Sequence, residues 1–324
     1  MIAASRWLGR LTAVAMIVAL PAGAPAVFGI VTLAAAPAFA LDGSGSEAPQ
    51  KIPLKSFSSV QQALRVGLDD LKAGNTQSSV VALTYAANGG QPLARWKLGE
   101  MYAEGVVVPR DDLKAYHYFN QLVEDYDEDE ADRQTLSATA NAFVAVGVYS
   151  LNGILNSDVR PDAQRAHELF QYAATTFGNA DAQYNLAHMY IVGAGGLAKD
   201  SRVAVHWLAL AAEKNHRPSQ ALLGHLLFNG DGVPNQRGRG LMWLRIAQSN
   251  DQDPKDEWIR ELARRDWAVA SDDDRQMAEI LHDRRTKGPS VPSMVTGSVL
   301  PQSRTSVVPV LIVAPPPPAP LPPQ

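Results

Sequence analysis

The side chains that could carry chemistry in this 324-residue chain are few, and their spacing builds none of the common catalytic sets. There is no cysteine, which removes thiol nucleophiles, cysteine-ligated zinc and disulfides together. No H-E-x-x-H, G-x-S-x-G, Walker loop or S-x-x-K occurs. Gly193-Ala-Gly195-Gly196 has the glycine density of a phosphate cradle, but no strand-like run precedes it and no lysine–serine pair follows, so it reads as a turn. The acidic run Glu124-Asp125-Tyr126-Asp127-Glu128-Asp129-Glu130 lacks the glycine of a calcium loop. It reads as a solvated loop, with a docking patch for a basic surface as the alternative. The sharper candidates are His188 and His225, which occupy equivalent positions of a repeat. Neighbouring imidazoles oppose each other's protonation, so mild acid would place like charges in one groove and loosen the partner or the stack. Two half-exposed surface histidines are the plainer reading, and two ligands do not make a zinc site. The inventory favours binding over catalysis, with no cofactor and no metal.

The repeat that places these residues is visible when segments are aligned on Gly105, Gly153, Gly193 and Gly230, spaced 48, 40 and 37 residues apart. Seven residues before each stand Leu98, Val146, Leu186 and Leu223; six before, Gly99, Gly147, Ala187 and Gly224; eleven before, Ala94, Ala142, Ala182 and Ser219. Tyr102, Tyr190 and Leu227 lie three before the glycine. These offsets form one helical stripe, and self-similarity at this period means stacked supersecondary units. The small residue lets a neighbouring helix come close.

A second helix follows each glycine: Ala115-x-x-Tyr118, Ala166-x-x-Leu169-Phe170, Ala204-x-x-Trp207 and Gly240-x-x-Trp243. Trp207 and Trp243 read as packing residues. Asp112, Asp162 and Asp200 precede these helices, where a carboxylate satisfies free amides and the helix dipole. A shorter first unit runs from Ala63 to Gly90, and Pro254–Ala270 with Asp272–Arg285, capped by Ser271, makes a closing pair. The charged Arg260, Arg264, Arg265 and Asp266 would give that pair a polar outer face. The expectation is an all-α solenoid of about five helix pairs over residues 58–285, with a C-terminal capping pair.

On a wheel of 100° per residue, the face opposite the apolar stripe of the first helices carries Glu100, Val148, His188 and His225, flanked by Trp96, Val144, Tyr184 and Ala221. In a helical stack this reads as the concave binding face. The expected partner-binding set is Trp96, Glu100, Tyr184, His188, His225 and Phe228, with Trp96 as an exposed aromatic anchor.

Both ends read as non-globular. Residues 1–40 carry Arg6 and Arg10, apolar stretches Leu11–Leu20 and Val27–Ala36, and Ala38-Phe39-Ala40, the order of a cleaved export signal. An uncleaved anchor is the alternative, opposed by Pro21, Pro25 and Pro37. Cleavage would take the formal net charge from −4 to −6, which speaks against nucleic-acid binding. A linker follows over 41–57, and no other segment is apolar enough to span a membrane. Residues 286–324 hold 11 of the 22 prolines and read as an extended, disordered spacer.

The motifs Leu98-Gly99-x-x-Tyr102-x-x-Gly105, Leu186-Ala187-x-x-Tyr190-x-x-Gly193 and Leu223-Gly224 through Gly230-Asp-Gly-Val233 resemble Sel1-like repeats, relatives of the tetratricopeptide repeat. Gly105-Val-Val-Val departs by lacking the second glycine, and Ser150 replaces the helix tyrosine. More narrowly, the export signal, Arg95-Trp96-x-Leu98-x-x-Met101-Tyr102, Phe170-Gln-Tyr-Ala-Ala-Thr-Thr-Phe-Gly178 and Ala270-Ser-Asp-Asp-Asp-Arg275 resemble the periplasmic exopolysaccharide-production negative regulators of alphaproteobacteria (ExoR). The likeness covers roughly residues 55–285, and the acidic insertion and proline tail fall outside it. It implies a non-enzymatic periplasmic inhibitor that binds the outer domain of a membrane sensor histidine kinase. It also implies release of that kinase by a periplasmic protease, promoted by acid. A scaffold for a polysaccharide-export or envelope complex is the alternative.

Overall fold

The computed structural model describes residues 57–128, 133–248 and 256–287. The expected export signal, nearly all of the linker, the end of the acidic run and nearly all of the proline tail lie outside the described residues. Among those described there are twelve α-helices and no strand: α1 (Val60–Lys72), α2 (Thr76–Asn88), α3 (Pro92–Glu104), α4 (Asp112–Glu124), α5 (Arg133–Asn152), α6 (Ala163–Thr175), α7 (Ala180–Val192), α8 (Ser201–Glu213), α9 (Arg217–Asn229), α10 (Arg237–Gln248), α11 (Glu257–Ala268) and α12 (Asp272–Lys287). Each odd-numbered helix from α1 to α9 packs on the helix that follows, and each even-numbered helix from α2 to α10 packs on the first helix of the next unit. This is an all-α helical-repeat solenoid.

The helix-closing glycines have the geometry their residue type predicts. Gly105, Gly153, Gly193 and Gly230 all sit at φ between 68° and 73°, where a Cβ would be strained. The chain then returns by a repeated hydrogen bond: the amides of Asp111, Asp162, Asp200 and Gln236 donate to the carbonyls of Tyr102, Ser150, Tyr190 and Leu227. In the second, third and fourth units the returning residue also caps the second helix, accepting from the amides of Lys114, Arg165 and Val203. In the first of these the cap is Asp111, not Asp112, which is the first helical residue.

Packing within a pair rests on the small residue six before the glycine. A Cβ on Gly99 would lie 2.4 Å from the Phe119 ring, and one on Gly147 would lie 2.6 Å from Phe170. Phe119, Phe170, Leu208 and Leu244 stand four residues after Ala115, Ala166, Ala204 and Gly240, and all are at most 1% exposed. The buried position of the second helices is therefore one residue later than the Tyr118 and Trp207 register. Trp207 is half-buried, while Trp243 is buried beside Leu244. In the last of the five pairs the approach is backbone to backbone, since a Cβ on Gly240 would lie 2.5 Å from the Gly224 carbonyl oxygen.

The two closing helices cap the last repeat together: α11 rests on α9 and α10, α12 packs on α10, and Arg275 of α12 donates to the Trp267 carbonyl of α11. Ser271 caps α12 as its sequence implies, accepting from the Asp274 amide at 3.1 Å. Asp266, read as part of a polar outer face, is 2% exposed.

Gly240→Ala should destabilise the fold by about 3 kcal/mol, because the new methyl meets backbone that cannot rotate away. Gly90→Ala, at φ 85° with open space around it, should cost only about 1 kcal/mol. Urea-unfolding midpoints of the two variants check the difference.

Candidate interaction surface

The six residues expected on a binding face do not form one exposed strip. Trp96 is 7% exposed and packs its ring 5.1 Å from Phe119. The expected exposed anchor is thus a core residue of the second unit. Glu100 is 5% exposed and accepts from Lys97 Nζ at 2.9 Å. Tyr184 is 1% exposed, 5.4 Å from the His216 ring, and its burial pushes the phenol well above the ordinary range. Phe228 is also 1% exposed, with the Arg237 guanidinium 4.1 Å above its ring. The reason is shared: a first helix such as α3 is packed by α2, α4 and α5, so the side opposite its apolar stripe is covered too.

His188 and His225 meet different surroundings. Burial alone holds His188 below the usual histidine pKa. His225 turns toward α11, where its Nδ1 donates to Asp266 Oδ2 at 2.6 Å, and Arg265 Nη2 lies 3.4 Å from the imidazole. With Asp266 buried, this contact ties the last repeat to α11. A second such tie joins His216 Nε2 to Asp181 Oδ1 at 3.0 Å while His216 Nδ1 accepts from the Ser219 amide. His216 is legible in hindsight, since it stands 37 residues after Asn179, which caps α7. Asp266 lies 41 residues from its partner on another unit, and no local pattern marks it.

Polar side chains also lock one unit to the next. Ten residues before the closing glycine, Arg95, Gln183 and Gln220 donate to the carbonyls of Ala87, Ala174 and Ala212 at the end of the preceding helix. Among the described residues the two most exposed large apolar side chains, Val106 and Leu155 at 83% and 93%, lie in loops after closing glycines, and Val269, Met277 and Ile280 are exposed beyond the last repeat. Among the described residues no group of His, Cys, Asp or Glu is placed to hold a metal ion, and no helix is long and apolar enough to cross a membrane.

Comparison with known proteins follows the same boundaries. Residues 92–124, 138–175, 180–216 and 217–248 match the Sel1 repeat family, one match for each helix pair from α3 to α10. The chain is 30% identical over 246 residues to an exopolysaccharide production negative regulator of Rhizobium meliloti (strain 1021), covering 76% of this chain and 86% of that protein. A regulator of the same name from Rhizobium leguminosarum bv. viciae is 31% identical over 243 residues, covering 75% and 85%. The chain belongs to the exopolysaccharide production negative regulator family. A Sel1 repeat protein from Oxalobacter formigenes aligns with a TM-score of 0.51 at 24% identity, over 71% of this chain and 89% of that one, a likeness of fold.

Two measurements test the histidine assignments. The unfolded chain holds the His188 proton near pH 6.5 and the folded chain only at lower pH, so protonation favours unfolding as pH falls below about 6.5. His188→Gln should therefore lose less stability than wild type between pH 7.5 and pH 5.5, read from urea midpoints at both; equal losses would exclude His188. Asp266→Asn should cost about 2 kcal/mol and raise amide exchange in α11 ahead of α3 to α8.

Proposed function

We propose that this protein is an exported, non-enzymatic negative regulator of exopolysaccharide production. In this reading it binds the periplasmic domain of a membrane sensor histidine kinase and holds its signalling down. Cleavage by a periplasmic protease, favoured by acid, releases the kinase. The observation that carries the proposal is the match to two regulators of that name over about three quarters of the chain. An array of helical repeats suits a protein that works by contact, since stacked units offer extended surface without catalytic groups. The export signal read over residues 1–40 supports the periplasmic location. The half-buried His188, whose pKa burial lowers, supplies a physical route for acid to loosen the stack.

The test is deletion of the gene together with capture of the chain's partners from envelope extract by the tagged mature protein (residues 41–324). The expected outcome is several-fold more exopolysaccharide on deletion and a sensor histidine kinase as the main captured protein. Capture of polysaccharide-synthesis or export subunits instead, with no kinase, would move the protein to a scaffolding role. Unchanged polysaccharide on deletion would overturn the regulator reading.

A further inference from the structure

One unit breaks the polar lock between repeats. At the position where Arg95, Gln183 and Gln220 donate to the preceding helix end, α5 carries Phe143, which has no donor. Its ring instead gathers three others. Phe143 lies 4.9 Å from Tyr172, 5.6 Å from Phe177 and 5.9 Å from Tyr126. Tyr126 is in turn 5.4 Å from Phe177 and 6.3 Å from Tyr172. Phe143 is buried beneath, while Tyr126, Tyr172 and Phe177 are only half-buried and present ring surface outward.

The field at this platform is negative. Glu124, Asp125, Asp127 and Glu128 are all exposed in the same segment as Tyr126. The Tyr126 phenol is pushed up to about 12, first by burial, then by the Tyr172 hydroxyl, then by Glu128 and Asp127, so the two carboxylates act on the ring itself. Helices α4 and α6 both end here, at Glu124 and Thr175, and neither has a basic residue in its last turn. Their C-terminal dipoles add to the negative potential. Two cations near the patch are engaged: Arg95 pairs with Asp125 at 2.5 Å, and Lys214 donates to the Gly178 carbonyl and to Gln183.

We infer that the ring cluster Tyr126, Phe143, Tyr172 and Phe177, with the carboxylates of Asp127 and Glu128 beside it, is a docking site for an arginine-bearing segment of another protein. This goes beyond the regulator reading and holds whichever protein supplies the segment. A guanidinium can lie flat on a tyrosine ring while its edge forks to a carboxylate, a geometry that lysine lacks. The repeat-breaking phenylalanine and the acidic segment then serve one purpose, since each alone would leave half of that geometry missing.

The test is a fluorescence-anisotropy titration of the full chain with a fluorescein-labelled Arg-Gly repeat octapeptide, beside Lys-Gly and Glu-Gly counterparts at 0.15 M salt. The arginine peptide should bind about fivefold or more tighter than the lysine peptide, and the glutamate peptide should not bind. Joint Tyr126→Leu and Tyr172→Leu substitution should weaken arginine binding about tenfold. Joint Asp127→Asn and Glu128→Gln substitution should weaken it several-fold and flatten its salt dependence. The acidic pair is exposed and decides the matter if the tyrosine variant loses its thermal transition. Equal affinity for arginine and lysine peptides, no loss in the acidic-pair variant, or no binding of the arginine peptide would each overturn the proposal.

Discussion

Two helices of a repeat cannot approach to ring-packing distance unless one of them gives up a side chain, and the architecture here follows from where it does so. The concession sits six residues before the closing glycine, at Gly99, Gly147, Ala187 and Gly224. In two units a phenylalanine of the second helix fills the space left, and in the fifth pair the backbones of α9 and α10 themselves meet. Interior packing is close enough that a single methyl is felt, so this one contact fixes the distance and register within the pair. Once the register is set, the glycine turn has to bring the chain back beside the first helix. The recurring bond from the returning amide to the carbonyl of Tyr102, Ser150, Tyr190 or Leu227 closes each unit at the same place.

Stacking then poses a second requirement, that carbonyls at the end of one unit find donors in the next. Arg95, Gln183 and Gln220 meet it with side chains of different length, aimed at equivalent carbonyls. Beyond the last described repeat the stack is closed by apolar packing and charge together, with Ile259, Leu262 and Ala263 of α11 buried in the same core as Leu241 and Leu244. In α12 Ala278 is fully buried, and the helix is tied down by Arg237–Asp274, Arg245–Glu279 and a two-pronged Arg285–Glu213 contact, with Arg285 also 4.4 Å above the Trp243 ring. Exposed ion pairs of this kind contribute at most about 1 kcal/mol each.

The glycine register, the alternation of small and large residues and the order of helix pairs were all legible in the sequence, because they are local and repeat. Which residues of the first helices stay exposed was not. A helical wheel assigns the side opposite the apolar stripe to solvent, but a first helix in this stack has neighbours on that side as well. Trp96, Tyr184 and Phe228 were misplaced for that single reason. The second-helix register slipped by one for a related one: Tyr118 and Trp207 are conspicuous in the sequence yet only half-buried, and the plainer Leu208 carries the core. His225 was identified as unusual, but its partner Asp266 lies on a helix outside the repeat and carries no mark of its own.

A repeat that satisfies its own hydrogen bonds and buries its own apolar stripe has little left to offer a partner, so specificity has to come from departures. Two departures stand out on that criterion. His225 looks along the stack to a buried carboxylate beyond the last repeat and so reports on whether the end is closed. Phe143 withdraws a donor from the junction between the second and third units, and the same junction carries the widest spacing, 48 residues, and the acidic insertion. An insertion confined to solvent could have any polar composition. One that places carboxylates beside three half-open rings and two helix C-termini has a composition matched to its neighbours, which is what a binding surface requires and a spacer does not.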